Sequence, residues 1–76
     1  SEDLISAVVH LAYAAPEHFD TRYFSCLLQA LSNSDTWVRL ATVWAIGCVG
    51  WREFQDVLEN QSNTDPSSDV RLQASQ

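Results

Sequence analysis

A pattern of seven residues occurs twice in this chain, and this repetition constrains the fold more than any other feature. Residues 33–39 read Asn-Ser-Asp-Thr-Trp-Val-Arg, and residues 65–71 read Asp-Pro-Ser-Ser-Asp-Val-Arg. Each copy places a short polar segment, rich in helix-capping residue types, directly before a Val-Arg pair. Recurrence at this period is typical of a helical solenoid, in which stacked helix pairs share one core. Because most solenoids bind partners on extended surfaces, the repeat favours a binding function.

The spacing of apolar residues predicts an all-α chain. Residues three and four positions apart share one face of a helix, and apolar residues recur in this way along most of the sequence. The predicted helices cover residues 3–15, 21–31, 36–49 and 52–60, and a short fifth helix starts near residue 69. The third helix is apolar almost all the way round, so we expect it to lie at the centre of the molecule. Residues 61–68 are expected to form a polar loop.

Acidic residues and glycines mark the expected ends of these helices. Asp20, Asp35 and Asp65 each stand where a side chain could cap a helix N-terminus. The chain has two glycines, Gly47 and Gly50, and both fall near the end of the third helix. We expect both to serve a left-handed cap and a tight turn there. On this basis, Gly47→Val is expected to destabilise the fold.

The charge balance excludes several classes of partner. The chain has ten acidic residues and four basic ones, all of them Arg, which gives a net charge of −6. Binding of nucleic acid or of an anionic membrane needs a basic surface, so neither is expected as a partner. No apolar run approaches the length of a membrane span, and no signal peptide is visible.

Candidate ligands for metals and cofactors are few. Cys26 and Cys48 are too few for a disulfide framework and are expected to be small core residues, which favours a reducing, cytoplasmic location. His10 and His18 form no recognised ligand spacing with them. The sequence therefore predicts no metal, no cofactor and no catalytic residues, and hence no enzyme.

Residues 35–58 resemble the short HEAT-like repeats of the phycobilisome-lyase type. The residues that carry the resemblance are Asp35, Val38-Arg39, Ala41, Ala45-Ile46-Gly47, Gly50 and Val57-Leu58, and Val70-Arg71 begins a further copy. The resemblance implies a single domain over residues 1–76, built as a short α-solenoid of antiparallel helix pairs. Its repeat units would cover about residues 3–32 and 35–62, with a partial unit at 65–76. It also implies that Asp35, Arg39 and Arg71 tie neighbouring repeats together.

Three tryptophans and three acids are the candidate partner-binding residues. Trp37, Trp44 and Trp51 are spaced by seven, so the first two lie on one line of the third helix and the third lies just past its end. Trp37 stands where the repeat family usually has a small or acidic residue, so we expect its side chain to be at least partly exposed in the monomer. The alternative for these residues is packing within the core. The acids are Glu53, Asp56 and Glu59, which would form either a ridge facing a basic partner or a plain solvent-facing side.

The sequence therefore predicts a protein-interaction module, a scaffold or adaptor that binds a protein partner through its repeat helices. One alternative is an accessory or chaperone-like subunit of a bilin-lyase system, and another is a small acidic inhibitor of a basic partner. Val70 and Leu72 have no following helix to cover them. This open end predicts self-association or a continuation of the chain.

Overall fold

The structure, a computed structural model, describes residues 2–76, with side chains from residue 3 onward. The helices are α1 (Glu2–Ala14), α2 (Thr21–Leu31), α3 (Thr36–Val49), α4 (Gln55–Thr64) and α5 (Ser68–Ala74), and a 3₁₀ turn (Arg52–Phe54) precedes α4. All regular secondary structure in the described part of the chain is helical. The predicted all-α fold class is therefore confirmed.

Two of the predicted capping residues begin their helices as expected. The carboxylate of Asp20 accepts the N–H of Arg22 at 2.8 Å, and that of Asp35 accepts the N–H of Trp37 at 2.9 Å. Each bond satisfies a backbone donor that the first turn of a helix otherwise leaves unpaired. α1 ends at Ala14, two residues before Pro16, which cannot continue a helix.

Helix α4 is longer than the sequence predicted. It runs to Thr64 instead of residue 60, so most of the expected loop is helical. The hydroxyl groups of Ser62 and Thr64 donate to carbonyl oxygens one turn earlier, at 2.7 and 2.8 Å. These two polar side chains therefore find hydrogen-bond partners within the helix itself. The helix ends at Asp65 because Pro66 follows, and a residue before proline disfavours helical backbone angles.

Helix α3 is the centre of the molecule, as its apolar sequence predicted. Helices α1, α2 and α5 all pack against it, while α4 packs mainly against α5, and α1 touches α2 only slightly. The molecule measures 30 × 27 × 17 Å. The shortest dimension corresponds to two layers of helices, since one helix with its side chains is about 10 Å across. The buried residues of α3 are Val38, Arg39, Thr42, Val43, Ala45 and Ile46.

Side-chain hydrogen bonds shape the turn before α3. The side-chain oxygen of Asn33 accepts the N–H of Asp35 at 2.8 Å, and Asp35 in turn caps the helix. Val38 is buried one turn later. Arg39 then reaches back, and its Nη1 donates to the carbonyl oxygen of Asn33 at 3.0 Å.

The turn before α5 has the same construction. The side-chain oxygen of Asp65 accepts the N–H of Ser67 at 2.9 Å, Val70 is buried, and Nη1 of Arg71 donates to the carbonyl oxygen of Asp65 at 2.6 Å. The cap of α5 is Ser67, whose hydroxyl accepts the N–H of Val70 at 3.5 Å. The prediction that Asp65 serves as a helix cap is therefore wrong. The two copies of the sequence pattern nevertheless fold alike.

A buried ion pair joins the two turns. Nε and Nη2 of Arg39 donate to the two carboxylate oxygens of Asp65 at 2.9 and 3.2 Å, across 26 residues of sequence. Arg39 is 8% exposed and Asp65 is 3% exposed. The amide of Gln61 adds a third donor to this carboxylate, at 2.6 Å. Arg39 thus holds the start of α3 against the turn that precedes α5.

The surroundings of Asp65 favour its ionised form. Burial by itself raises the pKa of this carboxyl group, because a low-dielectric site disfavours charge. The hydrogen bonds from Arg39, from the Ser67 N–H and from Gln61 act in the opposite direction and outweigh burial. The net pKa of Asp65 lies below the ordinary value of 3.8.

One of the two glycines has the predicted role. Gly50 has φ = 70°, a left-handed conformation, and its N–H donates to the carbonyl oxygen of Ile46, which closes α3. Gly47 lies inside α3, and a Cβ atom at this position would meet nothing within 4 Å. The expectation that Gly47 forms a tight turn is therefore wrong, and the reason given for damage by Gly47→Val does not apply.

The two glycines should respond in opposite ways to substitution by alanine. Gly50→Ala should destabilise the fold by about 1–2 kcal/mol, because a side chain disfavours the left-handed conformation. Gly47→Ala should stabilise it by about 0.5–1 kcal/mol, because glycine weakens a helix interior. Urea unfolding of both variants measures these changes. Equal losses of stability would mean that α3 does not end at Gly50.

Asp65→Asn should destabilise the fold by about 3–5 kcal/mol, because it leaves the buried guanidinium of Arg39 without its counter-charge. Urea unfolding at neutral pH measures the loss. The matched control is Asp20→Asn, which removes an exposed ion pair with Arg22. Since asparagine caps helices as well as aspartate does, this control should lose far less stability. Similar losses in both variants would contradict the burial of the Arg39–Asp65 pair.

The stabilisation from Asp65 should disappear in acid. Since the pKa of Asp65 is lower in the folded chain than the ordinary 3.8, the unfolded chain takes up a proton first as the pH falls. The difference in unfolding free energy between the wild type and Asp65→Asn should stay constant above about pH 5 and narrow as the pH drops below the ordinary pKa. A pH series of urea unfolding curves tests this. A difference that widens in acid would contradict the assigned shift.

Candidate partner-binding surface

Trp37 lies on the outside of the molecule at the second position of α3. Its side chain is 68% exposed, which confirms the exposure that the sequence predicted. Trp44, two helical turns further on, lies on the same side of the helix and is 39% exposed. Exposed apolar residues that form one contiguous patch commonly mark an interaction site.

The outer side of α3 carries no charge. Arg39 is the single charged residue in this helix, and it points inward to Asp65. The exposed residues of α3 are Thr36, Trp37, Trp44, Gly47 and Cys48. In a chain with a net charge of −6, this leaves an uncharged strip along the central helix.

Tyr13 extends this strip onto α1. Its side chain is 80% exposed, and its ring meets that of Trp44 edge to face, with the ring centroids 6.4 Å apart and the planes at 69°. Edge-to-face pairs are favourable because the positive edge of one ring meets the negative face of the other. Trp37, Trp44 and Tyr13 are called the aromatic surface below.

An open groove lies beside Trp44. Its volume is about 280 Å³. Val43, Leu58 and Ala74 line it with apolar groups, and Trp44, Gly47 and Cys48 of α3 line it as well. A groove of this size could accept an apolar side chain from a partner, next to the aromatic surface.

Trp51 does not belong to the aromatic surface. It is 7% exposed, and its indole N–H donates to the carbonyl oxygen of Pro16 at 3.2 Å. Its ring stacks on Phe54, with centroids 5.8 Å apart, and contacts Phe19 at 5.4 Å. The prediction that Trp51 binds a partner is therefore wrong. The left-handed turn at Gly50 redirects the chain and carries Trp51 into the core.

The three acids proposed as a ridge are all on the surface. Glu53, Asp56 and Glu59 are exposed, and none of them forms an ion pair within residues 3–76. Glu53 belongs to the 3₁₀ turn, whereas the other two belong to α4. Contact with a basic partner therefore stays a prediction for these residues.

Both cysteines are free and exposed, so the prediction that they are core residues is wrong. Cys26 faces a groove that stays open because α1 and α2 barely touch. Cys48 lines an open groove together with the last residues of α5, including Gln73 and Ala74. Over the described residues, no three His, Cys, Asp or Glu side chains are grouped so that they could hold a metal ion. None of the described helices combines the length and the apolar character needed to cross a membrane.

Comparison of the chain with protein-family models, with curated proteins and with solved structures finds no match. The likeness to short HEAT-like repeats therefore stays a prediction from the motif residues. The aromatic surface is identified from its geometry alone. It offers exposed aromatic faces and apolar area for non-covalent contact.

Proposed function

We propose that this chain is a protein-interaction module, a scaffold or adaptor that binds a protein partner through the aromatic surface. The observation that carries the proposal is the exposure of Trp37, 68% of whose side chain is open on an uncharged side of the central helix. Tryptophan is over-represented among the residues that contribute most to protein–protein binding. We also propose that the chain is not an enzyme and acts in the cytoplasm.

The helix that carries most of the aromatic surface is held in place by the helices packed against it. Trp37 and Trp44 stand on α3, which is held on three sides by α1, α2 and α5. Tyr13 and Trp44 already contact each other across the α1–α3 boundary. Because Tyr13 and Trp44 already pack on each other, these two rings should lose less side-chain freedom on binding than isolated rings would.

We propose that the architecture is a short α-solenoid of antiparallel helix pairs. Three observations support it. Helices α1 and α5 both pack on α3, the molecule is two helix layers thick, and the turns before α3 and α5 have the same pattern of hydrogen bonds. The unit boundaries at residues 3–32, 35–62 and 65–76, which come from the sequence resemblance, are part of this proposal.

The two alternative functions have less support. A chromophore-handling subunit needs an enclosed apolar site, and the groove of about 440 Å³ between α2 and α4 is open and partly lined by Asp56, Asn60 and Gln61. An acidic inhibitor needs its carboxylates on the contact surface. The aromatic surface contains none, because the exposed acids Glu53, Asp56 and Glu59 lie outside α3.

Trp37→Ala should leave the fold intact and weaken partner binding by about 2 kcal/mol, roughly thirtyfold, as expected for an interface anchor. The partner is first identified by affinity purification with the wild-type chain. It is then purified, and its dissociation constants for the wild type and the variant are measured by calorimetry. Circular dichroism and urea unfolding check that the variant folds.

Two matched substitutions make this experiment decisive. Leu72→Ala removes a side chain that is 62% exposed on α5, outside the aromatic surface, and should leave partner binding unchanged. Trp51→Ala removes a buried ring and should unfold the chain or cost about 3–5 kcal/mol of stability. Equal affinity of the partner for the wild type and Trp37→Ala would disprove the proposed function. Unfolding of Trp37→Ala would show that this ring belongs to the core.

A further inference from the structure

The open groove between α2 and α4 lies on helices that do not contribute to the aromatic surface. Its volume of about 440 Å³ exceeds that of the grooves beside Trp44 and Cys26. α2 and α4 make little direct contact, and no side chain of α4 is fully buried. The lining residues fall within 28–32 and 56–61, away from both ends of the chain.

Apolar side chains from both helices line part of this groove. They are Leu28 and Leu31 of α2 and Val57 of α4. Leu31 is buried, but Leu28 and Val57 are only half-buried, so part of their apolar area is still in contact with water. Covering that area with a hydrocarbon chain from a partner is favourable.

Oxygen acceptors without donors line the α4 side. Asp56 is exposed and forms no ion pair within residues 3–76, and the side-chain amide of Asn60, one turn later, has no hydrogen bond there. The Nε2 of Gln61 donates to Asp65 at 2.6 Å. Since an ionised carboxylate only accepts, this bond fixes the amide, and its Oε1 is left without a donor in the described chain. Residues 56, 60 and 61 share one side of the helix.

A lysine or arginine side chain matches both parts of this lining. Its hydrocarbon stem suits apolar surface, while its charged head carries only donors and suits a set of oxygen acceptors. The chain supplies no such group to the groove itself. α4 contains no basic residue, Arg22 pairs with Asp20, and Arg39 is buried against Asp65. Among the exposed acids, Asp56 alone lines one of the four open grooves of the described fold.

We propose that this groove binds a lysine or arginine side chain from a basic segment of a partner protein. The stem of that side chain packs on Leu28 and Val57, and its head donates to Asp56 and to the amide oxygens of α4. A second copy of this chain is a poor occupant, because each copy has a net charge of −6 and contains no lysine. The site shares no residue with the aromatic surface, so this inference goes beyond the proposed function and does not rest on it.

The acids beside Asp56 favour a segment with more than one basic residue. Glu53 and Glu59 stand three positions before and after Asp56, both are exposed, and neither forms an ion pair within residues 3–76. Residues three apart are neighbours on a helical surface. Further basic residues of the same segment would meet these two carboxylates while one basic side chain occupies the groove.

A titration of the isotope-labelled chain, followed by the NMR shifts of its backbone amides, tests this inference. The probe is a short blocked peptide in which lysine alternates with alanine. The shifts should concentrate at residues 28–32 and 56–61. A peptide with norleucine in place of lysine keeps the stem and loses the charge, and one with diaminopropionic acid keeps a charged head on a shorter stem. Each should bind at least about fivefold more weakly, because each lacks one of the two matched contacts.

Matched variants locate the contact. Asp56→Asn should weaken binding of the lysine peptide by about fivefold to tenfold. Asp69→Asn is the control, since it removes the same charge from an exposed residue in the first turn of α5, outside the groove, and should bind almost as the wild type does. Asn60→Lys places an ammonium group of the chain itself one turn from Asp56 and should abolish binding. Trp37→Ala should bind the peptide like the wild type.

Several results would overturn the inference. Equal weakening by Asp56→Asn and Asp69→Asn would show only a general attraction to an acidic chain, and no shift at about 1 mM peptide would show no site. Shifts at the groove that appear with protein concentration alone would identify a second copy as the occupant. If Asp56→Asn fails to fold, Asn60→Lys decides, because Asn60 is an exposed helix position. Peptide binding that is lost in Trp37→Ala and kept in Asp56→Asn would disprove this inference and leave the proposed function standing.

Discussion

The buried contact between Arg39 and Asp65 is the interaction on which the rest of this structure depends. The guanidinium of Arg39 is a planar group with five N–H donors, and here it binds the carboxylate with two of its nitrogens while the third holds its own turn. A buried charge is costly unless it is fully paired. No buried side-chain polar atom among the described residues lacks a hydrogen-bond partner. One interaction thereby connects the segment before α3, the start of α3 and the segment before α5.

The same interaction shapes the surface of the protein. Because the single charge of α3 is turned inward, the outer side of this helix is left to Trp37, Trp44 and small uncharged residues. The exposed acids are on other elements, including Glu53 and Asp56. The chain is thus strongly acidic as a whole, whereas the outer side of its central helix is uncharged. The centres of protein interfaces are depleted of charged residues, and this separation supports the proposed binding surface on α3.

Local chemistry made much of the fold predictable from the sequence. Asp20 and Asp35 cap the helices that they were expected to cap. An N-cap needs only the side chain of one residue and the backbone N–H groups of the turn that follows it. The position of α3 at the centre followed from its lack of a polar side. The exposure of Trp37 was predicted as well. It lies in the first turn of α3, two residues after the capping Asp35, where the repeat family usually has a small or acidic residue.

The errors arose where a distant segment decides the outcome. Asp65 looked like another cap, and nothing near it in sequence shows that Arg39, 26 residues earlier, is its partner. Trp51 looked like the third member of a tryptophan line. The turn at Gly50 takes it off the helix and places it against Pro16 and Phe54.

The amino-acid sequence by itself determined the helices, their caps and the recurrence of the Val-Arg turn, because each depends on residues within one or two helical turns. Tertiary structure alone decided which side of α3 is covered, since that depends on where α1, α2 and α5 pack. It also decided which apolar side chains remain exposed. Cys26 and Cys48 look like core residues in sequence but are exposed in the fold. Cys26 faces the groove between α1 and α2, and Cys48 faces the groove lined by α3 and α5.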